Sequence, residues 1–360
     1  LRKIEHYILQ KIIAPFVFCF ILISSIYVVV DLSTNLEHII KNNIQAGTVI
    51  FYYLHSLPRI IFEITPICLL VAAIYSLTKM NRANEITAMR AAGINFFTIL
   101  KPYFTVAMVL VTLMFLNHEK IIPYSYKRLK EIGYILEGKK KQTLHKNITF
   151  YAEGNRIIFA KEFYLDDKLL NDVVILEQNL DKRVLYKITA ESAHYRDGNW
   201  SLYNTTIFKL NPEGTGVEEA ITLSKKDYDL KEKPEELLMT DMEITYQPFK
   251  SLLKKIFTFK GVSEEIVKRL SVELYHKLSF PFTSIILLFF GLFIGLNSRQ
   301  ASLLKGLGIA LLIGFTYYSL DAFAYSLGKI GLLPPPIAGF FANIFFLTIG
   351  GYLLLKTIRS

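Results

Sequence analysis

The chain has 360 residues, 52% of them hydrophobic, and a formal net charge of +10. Its mean hydropathy of +0.34, with the apolar residues gathered in long uncharged runs, excludes an ordinary soluble domain. The basic residues flank those runs instead of forming a basic helix with interleaved aromatics. This argues against nucleic acid as a partner and for membrane anchoring. Only Cys19 and Cys68 are present, both inside apolar runs, so disulfides and cysteine metal sites are excluded as a framework.

Six runs read in chain order as transmembrane helices: about Ile12–Val30, Leu57–Leu77, Phe96–Leu116, Phe280–Leu296, Gly306–Leu327 and Ile337–Leu355. Backbone polar groups must be satisfied internally in lipid, so each is expected to be helical. Pro66 is expected to kink its helix and Pro281 to sit at a helix start. The first run lacks a small-residue cleavage signature and reads as a retained anchor. One set of short flanks holds Arg2, Lys3, Lys11, Lys79, Arg82, Arg90, Lys101, Arg299, Lys305, Lys356 and Arg359. The opposite flanks hold little beyond Lys41, Arg59 and Lys329, which predicts cytoplasmic termini and an extracytoplasmic middle region.

Between the second and third spans, Lys79–Gly93 is polar enough to leave the bilayer and rich in helix formers. Its closing glycine suits a helix C-cap. Ile86, Met89 and Ala92 fall near one face, with Glu85 and Arg90 beside them. Such a helix would suit a partner's groove or would simply lie at the interface. At the other membrane face stand Asp31, Arg59, Glu63 and Asp321. Ionisable groups at that depth mark a pathway or a buried pairing, although Arg59 and Glu63 also have the i,i+4 spacing of a local ion pair.

From residue 118 to 278 the pattern changes. Ile148–Ala152, Arg156–Leu165, Asp172–Gln178, Val184–Tyr195, Trp200–Leu210 and Ala220–Tyr228 are short, β-branched and aromatic, and separated by turn signals. These turns are Glu153-Gly154-Asn155, Asp166-Asp167, Asn179-Leu180-Asp181, Asp197-Gly198-Asn199 and Asn211-Pro212-Glu213-Gly214. The strands predict a sandwich or jelly roll. Ile157, Phe159, Val174 and Leu176 would line an acyl-chain groove if its interior stays open, and would otherwise be core. After Pro234, Ser263 with Glu264 and Glu265 reads as a helix N-cap leading into the fourth span. The sequence offers no phosphate loop, no zinc helix at His118-Glu119 and no nucleophile elbow.

The stretch Asn84-Glu85-Ile86-Thr87-Ala88-Met89-Arg90-Ala91-Ala92-Gly93 resembles the S-E-I/L-x-x-M-x-A-x-G motif of the LptF/LptG (YjgP/YjgQ) permeases of lipopolysaccharide export. Asn84 replaces the commoner serine. Leu57-Pro58-Arg59 with Pro66, and Gly331-Leu332-Leu333-Pro334-Pro335 with Ala338 and Asn343, are similar to two further family patterns. The three-plus-three layout extends the likeness over the whole chain. Arg59 after Pro58, together with Asp31, is more like the LptG member, while Asn35 departs from the basic residue expected there.

The resemblance implies an α-helical membrane protein with an inserted all-β, jelly-roll-like periplasmic domain. Residues 1–117 would hold helices one to three with a coupling helix at about 79–93, residues 118–278 the β domain, and residues 279–360 helices four to six. It implies a bacterial inner-membrane permease subunit of an ABC transporter that extracts lipopolysaccharide, with no catalytic residues, metal or cofactor of its own. ATP and Mg would be bound by a cytoplasmic ATPase dimer (LptB-like). A second permease (LptF-like) and a single-span periplasmic β protein (LptC-like) would complete the assembly. Glu85, Ile86, Met89, Arg90, Ala91 and Gly93 would couple to the ATPase. Asp31, Arg59, Glu63 and Asp321 would meet the glycolipid's phosphates and sugars. The residues alone also admit an ABC-type mechanotransmission subunit, or a membrane-anchored binding or signalling protein that moves no lipid.

Overall fold

The computed structural model describes residues 2–136, 144–152, 156–179, 183–196, 198–211, 216–230, 234, 244–259, 264–297 and 303–359. The expected turns at 153–155 and 212–214, with Leu180, Asp181, Asp197, Ser263 and Arg299, lie outside them. The helices are α1 (Arg2–Lys41), α2 (Ala46–Arg82), α3 (Glu85–Ala91), α4 (Phe96–Leu116) and α5 (Ile122–Leu136). After the strands come α6 (Phe249–Phe259), α7 (Glu264–Ser279), α8 (Thr283–Asn297), α9 (Leu303–Lys329) and α10 (Pro335–Arg359). The chain divides into two units: Leu1–Glu137 with Tyr246–Phe249 and Ser271–Ser360, and Gly138–Thr245 with Lys250–Leu270.

Six helical rods in the described residues are long and apolar enough to cross a membrane, matching the six runs read from sequence. Two are longer than expected. The third continues beyond Leu116 through one π-helical turn, Asn117–Ile121, into α5. The fourth runs as one rod from Ile266 to Asn297. Pro281 therefore lies within this rod and not at its start; a single 3₁₀ turn, Phe280–Phe282, accommodates its missing N–H.

The first unit is centred on α2 and the fourth rod, whose most apolar windows are 78% and 72% buried. Small residues let these two backbones approach. A Cβ on Gly295 would stand 2.6 Å from the Leu77 Cβ, and one on Gly291 would stand 3.0 Å from the Ala73 Cβ. By contrast, the corresponding windows of α1 and α9 are only 11% and 22% buried. Phe18, Ile21, Leu312 and Phe315 stand exposed on them, an apolar surface that only lipid or another apolar body would cover.

The second unit holds β1 (Leu144–Ala152), β2 (Arg156–Tyr164), β3 (Leu169–Gln178), β4 (Val184–Arg196), β5 (Asn199–Leu210) and β6 (Val217–Tyr228). They form one antiparallel sheet in the order β1-β2-β3-β4-β5-β6. The inserted all-β domain is thus present, and its described strands are an up-and-down meander without Greek-key crossovers. Arg196 pairs with Asn199 where β4 passes to β5, and Gly198 there has φ 88°, which glycine adopts freely.

A crease crosses the whole sheet. Successive ladders skip the pairs 147/161, 161/172, 172/191, 191/204 and 204/224 without losing register. Asp172 and Asn204 on this line have φ of 49° and 46°, a conformation that short polar side chains tolerate best. Lys161 pairs with Asp172 at 3.4 Å, and Asn204 donates to Glu191 at 2.5 Å. The buried face changes phase at the crease, running Ile158, Ala160, Phe163 on β2 and Leu170, Val173, Ile175 on β3. Trp200, Leu202 and Ile188 belong to the same core.

Candidate functional site

At one end of the helical unit, α3 follows Asn84, which takes φ 56°. It closes through Gly93 at φ 77°, with Gly93 N–H donating to the Arg90 carbonyl and Ile94 N–H to that of Met89. This is a Schellman closure, so the glycine C-cap expected from sequence is realised. Glu85 accepts from the Tyr7 hydroxyl at 3.0 Å and faces Lys11 Nζ at 3.9 Å, both on α1. Ile86 is buried among Ile8, Ile12, Leu69 and Ile99, and Met89 packs partly against the same cluster. Ile86 is therefore an internal anchor and is not offered to a partner's groove, because α3 needs an apolar foot to hold it against its own bundle. The outward face is small and polar: Thr87, Ala88, Arg90 and Ala91. Beside it opens a cavity of about 560 Å³ lined by Thr87, Arg90, Ala91, Phe96, Asn297 and Thr357 among others. The floor is braced by Asn81, whose amide donates to the Leu296 carbonyl at 2.6 Å, and by Asn297, which donates to Thr357 Oγ1 at 3.0 Å.

Toward the opposite ends of the same helices the four expected charges separate into three settings. Asp31 accepts from Tyr53 OH at 2.9 Å and from the Asn35 amide at 3.2 Å, which ties α1 to α2. Arg59 Nε donates to Glu63 Oε1 at 2.8 Å, both side chains remaining more than 40% exposed. Asp321 does not join them. It is 9% exposed and its Oδ2 lies 2.9 Å from His276 Nε2. Around it, Glu273 takes a hydrogen bond from Tyr325 and faces Lys329. Asp321 is thus a buried partner for α7 and not a group facing lipid.

Sequence reasoning missed Tyr53, His276 and Tyr246. Tyr246 lies in the short stretch 246–249 that rejoins the helical unit, and the Arg59 guanidinium stands 5.6 Å from its ring centroid. The adjacent Tyr52-Tyr53 pair, and His276-Lys277 in an otherwise amphipathic lead-in, were the available signals. Among the described residues no group of three or more His, Cys, Asp or Glu gathers as for a metal.

In the second unit, Ile157 pairs with Leu176 and Phe159 with Val174 in direct register. All four lie on the face opposite the buried core, half-buried or exposed, and do not line an interior groove. On the other face the cluster around Trp200 leaves a void of only about 10 Å³, too small for a methylene chain.

A family model described as lipopolysaccharide export system permease LptF/LptG matches residues 6–356. The match is to the two permeases as one family and does not separate them. No curated protein matches the chain.

Proposed function

Because the chain belongs to the LptF/LptG family of lipopolysaccharide export system permeases, we propose that it is a permease subunit of an ABC transporter that draws lipopolysaccharide out of the inner membrane. ATP hydrolysis would belong to a separate ATPase dimer, and a second permease and a periplasmic β protein would complete the complex. In this reading the termini and α3 face the cytoplasm, in keeping with the basic flanks, and the β unit is periplasmic.

The observation that carries the reading is α3. It is seated by Ile86, tied to α1 through Glu85, and presents small side chains and Arg90 outward beside a cavity. A helix held in this way passes an applied push directly to the start of α1, which has the least buried apolar window of the six rods. Lipid extraction needs such a push, since each buried CH₂ leaving the bilayer costs about 0.8 kcal/mol. At the far end, Arg59 is the group suited to hold a phosphate while the cavity between two permeases is open.

The test is mass spectrometry of the gently solubilised complex. Co-recovery of an ATPase, a second six-span permease and a multi-acyl glycolipid is expected; recovery with ordinary phospholipid alone would overturn the transport reading. Glu85→Arg, which places a cation beside Lys11, should release the ATPase. An intact complex after that change would remove α3 from the coupling role.

A further inference from the structure

We infer that Tyr246 is a positioning residue for Arg59, and that with Glu63 it aims the guanidinium's two terminal nitrogens at a phosphate of the glycolipid. The inference rests on the phosphate-holding role proposed for Arg59 and extends it to residues outside the membrane spans.

Glu63 occupies Nε at 2.8 Å. Among the described residues no hydrogen bond reaches the two Nη atoms, and the Arg59 side chain is 44% exposed. The guanidinium is therefore held by one edge, leaving the edge that suits a phosphate fork. The Tyr246 ring supplies the second restraint, since a cation facing an aromatic ring is attracted to its quadrupole.

That ring is itself fixed. It lies tilted against the Tyr126 ring with centroids 4.5 Å apart and packs against the cluster of Phe62, Met114, Ile122 and Phe280. The backbone beneath it is stapled twice. Lys277 Nζ donates to the Gln247 carbonyl, and Phe249 N–H donates to Glu119 Oε2 at 2.8 Å, with Lys277 and Glu119 facing each other at 3.9 Å. A lysine that is 6% exposed, used on a carbonyl of this short stretch, is a costly arrangement for mere chain routing. Burial also pushes the Tyr246 phenol up to about 12 against the opposing pull of Arg59, so the ring stays neutral across the physiological range.

The experiment uses the detergent-solubilised chain with its co-purifying subunits. It measures Kd for a diphosphorylated multi-acyl glycolipid and for the same lipid without phosphates. Immobilising one arginine side chain is worth about two- to tenfold in affinity. Tyr246→Leu should weaken the phosphorylated lipid by that factor and leave the other unchanged. Tyr246→Phe should restore binding, and Tyr246→Leu added to Arg59→Ala should cost nothing more. Should the leucine variant fail to fold, Tyr246→Met serves the same comparison. Equal losses on both lipids, or losses additive with Arg59→Ala, would overturn the inference alone. If Arg59→Ala leaves the preference for phosphate intact, the phosphate-holding role fails and the positioning role falls with it.

Discussion

Replacing Asp321 separates a buried structural partner from a substrate contact. Its carboxylate lies 2.9 Å from His276 Nε2, with 13% and 22% of the two side chains exposed. A hydrogen bond with a charged member contributes about 1.5–3 kcal/mol. Asp321→Ala should lose this and leave His276 against the Tyr325 ring without its acceptor. Removing one member of such a pair is worse than removing both. The double change Asp321→Ala with His276→Ala should therefore cost less than the sum of the single changes.

The chain carries its own reporters. With Cys19→Ser removing the partly exposed thiol of α1, Cys68, fully buried on α2, lets a thiol-reactive dye read opening of the helical unit. Trp200, the single tryptophan, lies in the sheet and reads the β unit by fluorescence. Asp321→Ala is expected to lower the thiol-reported unfolding midpoint and to leave glycolipid affinity, measured below that midpoint, within about twofold. An unchanged midpoint with strongly weakened lipid binding would refute the structural assignment and return Asp321 to the substrate path.

Two further changes test packing and the crease. Gly295→Ala places a Cβ 2.6 Å from the Leu77 Cβ and should destabilise the helical unit by about 1–3 kcal/mol in the thiol assay. Gly351→Ala, with open space around it, is the neutral control. At the crease, Asn204→Gly should be tolerated because glycine adopts positive φ freely, whereas Asn204→Val should cost about 1–2 kcal/mol in Trp200 fluorescence unfolding.

The six spans and six strands were legible because each rests on a short-range pattern. A run of some twenty apolar residues has few alternatives in a membrane, and β-branched stretches punctuated by Asp-Gly or Asn turns have few outside one. The α3 helix and its glycine cap were legible for the same reason. The faces of the sheet were not. Alternation assigns a face only while the phase holds, and the crease at Asp172 and Asn204 shifts it by one residue. Ile157, Phe159, Val174 and Leu176 thereby fall outside the core that Ile158 and Ile175 occupy.

By itself the sequence determined the kind of protein: a six-span membrane chain with an inserted β domain, a short surface helix, and the motifs of its family. Tertiary structure alone decided which charges are available. Asp31 and Asp321 look alike in sequence, yet one ties α1 to α2 and the other is buried against His276. The reason is that the fate of a charge near a membrane depends on a partner within about 3 Å. In this chain those partners come from residues 22 to 45 positions away for Asp31 and Asp321, and the Tyr246 ring near Arg59 is more distant still in sequence. No local pattern records them.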